Sequence, residues 1–475
     1  GQASLLSNTT GAYNTALGSG TLQSNTTADN NTAVGYNSLT SNTTGTLNTA
    51  IGSIAADALT TGDSNTAIGY AALSSDTKGE RAIAIGEGAL FTQNFTSETS
   101  NYNVAIGYNA GYSISTGTQN TAIGGLALDA STTADSNTAI GYSALSAATT
   151  GGNNTAVGRN ALDAATTGNN NVAVGKDAMD ANTTGDRNVG VGMASLGAMN
   201  PSSGTPDMYN TAVGYSSGAG ITTGQTNTAI GALTLVGTCT ADGNSAVGYN
   251  ALNAVTSGAS NSALGVSALA FNTTGASNVA IGHSTLDANT TGSNNVGVGM
   301  GALGANTTAS ANTAVGYQSF AALTTGTRNT GLGYHSGLSA TSNDNVVVGY
   351  AAAEALTSGS SNIIIGSKSG QNLTEGNNNV VMGVEALDAE TLGDRNVAIG
   401  NQALSAQNFT SSTDVYNVAI GHQALTSSTT GNKSVAVGGL ALQSNTTGID
   451  NVGIGYAALN ANTTSSNNTA VGNKA

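Results

Sequence analysis

The chain is poor in charge, proline, cysteine and aromatic residues. Its 475 residues include no tryptophan, one cysteine and two prolines, and charged side chains make up 7% of the total. A disordered chain with so little charge would be expected to carry more proline and fewer Val, Ile and Leu at fixed spacing. We therefore expect an ordered protein.

Basic residues are also scarce, with 10 Lys and Arg and a net charge of −15. They do not cluster, and because phosphate neutralisation needs a basic stripe, nucleic acid is not expected as a partner. No run of 18 apolar residues occurs, so we expect no membrane insertion. The single Cys239 cannot form an internal disulfide. Since the chain opens with Gly1 rather than Met, we interpret it as a processed product or a fragment whose targeting and anchoring parts lie elsewhere.

A 17-residue repeat dominates the sequence. A glycine preceded by a small apolar triplet occurs 27 times between Gly18 and Gly472, at a spacing of 17 residues in 22 of 26 intervals. The unit reads Asn-Thr-Ala-Val-Gly-Tyr-x-Ala-Leu-x-x-Asn-Thr-Thr-Gly-x-x, as in Asn31 to Leu47. A fixed period of this kind indicates a solenoid. We interpret residues 1–475 as one continuous solenoid domain, with longer coils at 86–107, 192–214 and 400–421.

The residue types favour short β-strands over helices. We expect an all-β, parallel β-solenoid in which Asn-Thr-Ala-Val is a first strand, Ala-Leu-x is a second, and Asn-Thr-Thr-Gly is the return turn. The glycine makes a corner too tight for a β-carbon, and the stacked asparagines form an amide ladder. The corner glycines are represented by Gly18, Gly35, Gly52, Gly69, Gly107 and Gly141, and the ladder by Asn14, Asn31, Asn48, Asn65 and Asn103.

Adjacent apolar residues imply two apolar faces, because successive strand residues point to opposite sides. We assign Val or Ile and the later Leu to the interior of the coil. The Ala row, including Ala33, Ala67 and Ala156, is assigned to a flat outer face that packs against other chains. Burial of one Val and one Leu supplies about 3–6 kcal/mol per coil, so a lone thin coil is marginal and side-by-side association is expected.

Two motifs resemble known families. The signature Asn-x-Ala-Val/Ile-Gly, as in Asn103 to Gly107 and Asn417 to Gly421, resembles the head repeat of trimeric autotransporter adhesins. The phrase Gly-Tyr-x-Ala-Leu-x-x-Asn-Thr-Thr-Gly, as in Gly35 to Gly45, is similar to the repeats of phage tail-fibre-like proteins, and Gly455 to Ser465 matches it with Ser in the last place. The resemblance implies a left-handed β-roll, a homotrimer and a location outside the cell, on its surface or on a virion. Adhesin heads have shorter coils, and the necks and chaperone domains that enforce trimerisation are not in these residues.

The three long coils share a tyrosine directly before the Asn of the repeat. The first and third also share Gln-Asn-Phe-Thr, at Gln93 to Thr96 and Gln407 to Thr410. Insertions in solenoids commonly form loops on the binding face. We expect segments 91–102, 197–209 and 407–416 to protrude. A packed bulge whose aromatic residue plugs the widened turn is the favoured interpretation, and a recognition loop is the alternative. Their candidate contact residues are Phe91, Phe95, Tyr102, Tyr209, Phe409 and Tyr416.

Tyrosine follows the corner glycine in ten coils. We expect each ring to cover its own corner and the seam between chains, with stacking on sugars as the alternative. Asn-x-Thr sequons are candidate glycan acceptors if the source glycosylates secreted proteins. We singled out Asn8, Asn25, Asn42, Asn94, Asn182, Asn408 and Asn445. The histidines lie far apart, so no metal and no cofactor is expected.

These features together predict a non-enzymatic shaft or head of an extracellular or virion fibre that projects and adheres. Its expected partners are copies of itself, in a homotrimer or filament, and a cell-surface glycan or receptor. One alternative is an ice-binding solenoid, to which arrays of Thr would be suited. Another is a tailspike-type solenoid that binds or cleaves glycans, which would need two carboxylates about 5–10 Å apart. The acidic positions Asp129, Asp163, Asp287 and Asp388 recur in the return region but are scattered among polar equivalents.

Overall fold

A computed structural model describes residues 1–201 and 207–475 of the chain. Its contacts divide the chain into two compact units, Gly1–Gly243 and Asn244–Ala475. The described residues contain 27 strands of three residues, each ending at the residue before a corner glycine, and no helix. The predicted all-β parallel solenoid of about 27 coils with a 17-residue repeat is therefore confirmed.

Unit 1 builds one parallel ladder from short strands and adds a two-stranded pair, β5 with β7. Each ladder strand pairs with its equivalent in the next coil, so that Thr32 faces Thr49 and Ala33 faces Ala50. The strands are β1 Thr15–Leu17, β2 Thr32–Val34, β3 Thr49–Ile51, β4 Thr66–Ile68, β5 Gly79–Glu80, β6 Ile83–Ile85, β7 Thr99–Ser100, β8 Val104–Ile106, β9 Thr121–Ile123, β10 Thr138–Ile140, β11 Thr155–Val157, β12 Val172–Val174, β13 Val189–Val191, β14 Thr211–Val213 and β15 Thr228–Ile230.

Unit 2 repeats this arrangement, with β25 and β27 as its separate pair. Its strands are β16 Ser245–Val247, β17 Ser262–Leu264, β18 Val279–Ile281, β19 Val296–Val298, β20 Thr313–Val315, β21 Thr330–Leu332, β22 Val346–Val348, β23 Ile363–Ile365, β24 Val380–Met382, β25 Gly393–Asp394, β26 Val397–Ile399, β27 Thr413–Asp414, β28 Val418–Ile420, β29 Val435–Val437, β30 Val452–Ile454 and β31 Thr469–Val471.

The second strand predicted for each coil is wrong, because this segment is a run of turns. We count positions from the corner glycine, which is position 0. The residues at positions +2 and +4 have left-handed backbones, with φ of 53° at Asn37 and 50° at Leu39. Their amides donate in opposite directions, Asn37 N–H to Ser19 O at 2.9 Å and Leu39 N–H to Ala55 O at 3.0 Å. The segment thus bonds to both neighbouring coils without extended geometry.

The assignment of strand faces is also wrong. Ala at position −2 points into the coil, and Ala33, Ala67 and Ala156 are fully buried, so they cannot form an outer face. The Val or Ile at position −1 points outward, and Ile51 is 39% exposed. The Leu at position +4 is buried as predicted, for example Leu39. The interior of a coil is therefore narrow, built from Leu, Ala and buried Asn.

Candidate functional site

In each unit, the outer face of the ladder carries an aliphatic row, which we call the aliphatic stripe. It consists of the position −1 residues, which are Val, Ile, Leu or Met in all 27 coils. None of them is buried, and Ile51, Ile140 and Ile230 are 38–40% exposed. Because equivalent residues face each other across the parallel ladder, as Val34 faces Ile51, the side chains of each unit form an unbroken line.

The corner glycines make close backbone contacts that no other residue allows. Their φ values, +138° at Gly18 and +137° at Gly35, lie in a region that L-residues rarely adopt. A β-carbon on Gly35 would lie 2.2 Å from the carbonyl oxygen of Gly52 in the next coil. The same geometry recurs at Gly52, Gly69, Gly107 and Gly141.

The position −4 asparagines bond mainly to backbone groups. Asn31 Oδ1 accepts from the Asn48 N–H at 2.9 Å, and Asn31 Nδ2 donates to Gly45 O at 2.9 Å. Direct amide–amide contacts of the predicted kind accompany these bonds at several coils, as between Asn65 and Asn48 at 3.1 Å. Asn14 and Asn103 bond in the same way, each through its Oδ1 to the backbone of the next coil.

Most of the candidate glycan acceptors are core residues. Asn25, Asn42, Asn182 and Asn445 are fully buried, which corrects their assignment. Asn25 and Asn42 belong to a second ladder at position −10, where Asn42 Nδ2 donates to Asn25 Oδ1 at 3.1 Å. Asn182 and Asn445 donate within their own turns, to Gly185 O and Gly448 O at 3.0 Å. A glycan on any of these Nδ2 atoms would break a buried hydrogen bond and could not leave the core. Asn8, Asn94 and Asn408 are exposed.

The insertions of the first and third long coils are partly packed and partly exposed. Their last residues pair with the preceding coil, β7 with β5 and β27 with β25. Phe95 and Phe409 are only 6% and 8% exposed, so they are packing residues and not surface contacts. The tips, residues 96–98 and 410–412, are exposed. Tyr102 and Tyr416 are also exposed, while Phe91 is half-buried.

The second long coil has an exposed Tyr209 and an isolated parallel bridge between Asp186 and Asp207. The middle of its predicted loop, residues 202–206, lies outside the described residues.

A buried carboxylate organises each of these two insertions, and sequence reasoning missed both. Asp76 and Glu390 occupy position −10 of the coil before the insertion, where Asn stands in many coils. Asp76 Oδ1 accepts from the Gly79 and Phe95 N–H groups, and Oδ2 accepts from Gln93 Nε2 at 2.6 Å. Burial raises the pKa of Asp76, while these hydrogen bonds oppose the rise.

Glu390 repeats this arrangement. Its Oε1 accepts from Gly393 and Phe409 N–H, and its Oε2 accepts from Gln407 Nε2 at 2.7 Å. Gln407 Oε1 then accepts from Asn417 Nδ2 at 2.8 Å, which restores the asparagine register of the solenoid. The shared Gln-Asn-Phe-Thr motif was the available signal, but the acidic partner lies 17 residues upstream of the glutamine.

An arginine precedes every coil of irregular length. Four of the five arginines of the chain stand at position −5 of the coil before an irregular interval: Arg81, Arg187, Arg328 and Arg395. Three lie over the tyrosine of the long coil at 5.5–5.8 Å from the ring centroid, on Tyr102, Tyr209 and Tyr416. The fourth, Arg328, makes a two-pronged ion pair with Asp344 in the 16-residue coil, at 2.6 and 2.8 Å. These arginines bridge the places where the coil length changes.

The tyrosines that follow the corner glycines are exposed, apart from the half-buried Tyr317, and they alternate in part of unit 1. These tyrosines stand at position +1. In that part of unit 1 they occupy every second coil, at Tyr36, Tyr70, Tyr108 and Tyr142, and the coils between them carry Ser53, Glu87 and Gly125 at the same position. In unit 2, Tyr317, Tyr334 and Tyr350 occupy successive coils and stack on each other at 5.2 and 5.4 Å.

Half-buried aspartates recur at position +5. They include the acidic positions singled out from the sequence, and burial raises the pKa of each: Asp57, Asp129, Asp163, Asp180, Asp287 and Asp388. Asp163 and Asp180 stand in successive coils, and their mutual repulsion adds to the rise at Asp163.

Among residues 1–201 and 207–475, no three His, Cys, Asp or Glu side chains are grouped to hold a metal ion. No helix in the same residues is long and apolar enough to cross a bilayer. Cys239 is buried and forms no disulfide with any described residue. His335 lies between Glu354 and Gln318, at 3.2 and 3.1 Å, and stacks on Tyr334. Comparison with protein-family models finds no match, and no curated protein is detectably similar to the chain.

Proposed function

We propose that this chain is the shaft or head of an extracellular or virion fibre, in which copies associate side by side as a homotrimer and present an adhesive surface. The observation that carries the proposal is the aliphatic stripe, which places an outward Val, Ile, Leu or Met in every coil. The resemblance to adhesin heads and tail-fibre repeats supports the same function, and it is the source of the left-handed, trimeric form of the proposal.

The energetics favour association through the stripe. Covering the exposed part of one such side chain contributes roughly 1 kcal/mol. Because the stripe repeats at each coil, this small contribution adds along the contact. The interior of each coil contains little more than one Leu and two small side chains besides its asparagines, as Leu39, Ala33 and Ser38 show. A neighbouring chain would supply burial that the coil lacks.

The polar residues support a structural function over a catalytic one. Most position −6 acids accept a hydrogen bond from the backbone of the preceding coil, as Asp63 does from the Thr46 N–H and Asp135 from the Thr118 N–H. The return-turn threonines at position −9 donate to carbonyls of the next coil, as Thr43 does to Thr60 O at 3.1 Å. These groups are committed to holding the coils together.

Sedimentation equilibrium of the chain over a wide concentration range tests the proposal. We expect a species of three chains, whose formation is weakened by Ile51→Lys together with Ile68→Lys on the stripe. The matched control is Leu47→Lys, because Leu47 is an exposed aliphatic residue of the return turn, 59% exposed and off the stripe. It should leave association unchanged. A chain that stays monomeric at the highest concentration, or a control that weakens association equally, would contradict the proposal.

A further inference from the structure

The alternating tyrosines of unit 1 leave an open cleft at one coil. The cleft has a volume of about 360 Å³ and lies beside the first insertion. Its walls are Tyr70, Phe91, Tyr108 and Tyr112, and its polar side chains are Glu87 and Asn109. Glu87 occupies position +1 in the coil between those of Tyr70 and Tyr108. A flexible acidic side chain therefore stands where a third tyrosine ring would close the gap between them.

The spacing suits a ring-shaped ligand. Tyr70 and Tyr108 belong to corners two coils apart, which is about 10 Å at the strand spacing of a β-sheet. Aromatic rings stack with centroids about 4.5–7 Å apart, so a ring held between two aromatic side chains needs about 9–14 Å, a range that includes this spacing. Phe91 and Tyr112 stack at 5.0 Å with an interplanar angle of 6° and form a further aromatic wall.

The polar groups of the cleft are available for a ligand. Within the described residues, neither the Glu87 carboxylate nor the Asn109 carboxamide has a hydrogen-bond or ion-pair partner. Elsewhere the same position +2 amide pairs with its neighbour, as Asn160 does with Asp177 at 3.1 Å. Asn109 has Gly88 and Leu126 at the equivalent places, so its carboxamide remains free to contact a ligand.

The next gap along the row, between Tyr108 and Tyr142, differs from the cleft in its polar residue. Between Tyr108 and Tyr142 the corner residue is Gly125, and a β-carbon there would lie 3.6 Å from the Tyr142 ring. The Tyr142 ring therefore lies in ordinary van der Waals range of residue 125, which has no side chain of its own.

We propose that this cleft binds a neutral pyranose residue of a glycan, with the sugar ring between Tyr70 and Tyr108 and its hydroxyl groups on Glu87 and Asn109. Aromatic walls with a few convergent polar groups are the usual composition of a small-molecule site. No Lys or Arg lines the cleft, and the chain carries a net charge of −15, so acidic sugars are disfavoured. A quaternary ammonium ion would use the rings and Glu87 but would leave Asn109 without a function. The inference rests on the adhesive part of the proposed function and names its target chemistry.

Isothermal titration of the full chain with lactose, maltotriose and N,N′-diacetylchitobiose tests this site, with glucuronic acid and choline as contrasting probes. At least one neutral saccharide should bind, and Tyr108→Ala should weaken it by about 10-fold or more, as for an aromatic anchor. The matched control is Tyr142→Ala, because Tyr108 and Tyr142 are both corner tyrosines and both 56% exposed. It should bind like the unaltered chain.

Three results would overturn the site: no binding of any of the three saccharides, tighter binding of choline or glucuronic acid with the same dependence on Tyr108, or equal losses in both variants. Sedimentation of the same samples separates this inference from the proposed function. Loss of sugar binding with intact association removes the cleft alone, whereas sugar binding by a chain that stays monomeric removes the trimeric fibre alone.

Discussion

At the residue scale, the fold depends on side chains whose size or hydrogen-bonding direction allows no substitute. The corner glycines meet the backbone of the next coil, and the buried carboxylates accept at both oxygens. Asn at position −4 is more replaceable. Where Ala82 stands in its place, Asn101 Oδ1 accepts the N–H of Asn103 instead, and where Ser434 stands, its hydroxyl accepts from Asn451.

Two adjacent glycines give a matched test of the corner. Gly124 has φ +135°, and an added β-carbon would lie 2.4 Å from the Gly141 carbonyl oxygen. We expect Gly124→Ala to lower the free energy of unfolding by about 3 kcal/mol or more, since backbone strain and a backbone clash combine. At Gly125 the atom nearest to an added β-carbon is 3.6 Å away. Gly125→Ala should therefore change the free energy of unfolding by only about 0.5 kcal/mol. Denaturant titration of both variants measures the difference, and similar losses would contradict the corner's assigned role.

Asp76→Asn should destabilise the first insertion by about 1–3 kcal/mol. Both oxygens of Asp76 accept from N–H groups, so an amide would place a donor against either Gly79 and Phe95 or Gln93. Asp63→Asn is the control, because Asn169 already occupies the equivalent position −6 and accepts from the Gly152 N–H at 2.8 Å. Hydrogen exchange of residues 93–103 reports the loss locally. Unchanged exchange in Asp76→Asn would show that the carboxylate does not order the insertion.

At the scale of the coil, a larger core side chain in one coil is accommodated by smaller residues in the next coil. Phe320 replaces Leu at position +4 and is fully buried. It fits because the next coil carries Gly331 and Gly337, where β-carbons would lie 2.6 and 2.5 Å from its ring. Phe320 is thus accommodated by two glycines that stand where other coils have Ala and Leu.

The row of position +5 aspartates predicts a stability that increases on mild acidification. Burial raises the pKa of Asp163 and Asp180 above the ordinary value of 3.8. A carboxyl group whose pKa is raised in the folded state stabilises fully below the unfolded pKa, and this stability is lost as the pH rises through the folded pKa. Asp163→Asn with Asp180→Asn should therefore reduce the gain in Tm between pH 7 and pH 4. Melting curves at both pH values would contradict this if the variant kept the full gain.

The 17-residue spacing was sufficient to predict the coils, the first strand of each coil and the corners, because each follows from the position of one glycine. It could not determine which strand face points inward. In Thr32-Ala33-Val34 both faces carry small or apolar residues, so alternation alone fits either orientation. The sequence also did not predict that the position +4 leucines have φ near +50°. Leu is uncommon in that conformation, and the Ala-Leu-x segment resembles a strand in its sequence. The insertion networks depend on residues in different coils, which periodicity does not connect.

At the scale of the whole molecule, each coil contacts only its neighbours, so stability should follow the integrity of the repeat more than the number of coils. Irregular coils occur only where an arginine stands at position −5 of the preceding coil, and in two of them a buried carboxylate also orders the insertion. Length changes without such contacts should be poorly tolerated.

Deletion of one complete coil tests this at the level of the chain. Removing Thr138 to Asn154 joins Asn137 to Thr155, so Thr121, which pairs with Thr138, would pair with Thr155 in the same register. We expect Tm to fall by no more than a few degrees, because one repeat and one interface are lost. Removing only residues 138–146 deletes the strand and corner of one coil but leaves its return turn. The remaining residues then no longer stand opposite their equivalents in the neighbouring coils. That variant should melt far lower or fail to fold, as followed by circular dichroism. Equal Tm values for the two deletions would mean that the register of the coil does not control stability, because the partial deletion destroys the register and the complete one preserves it.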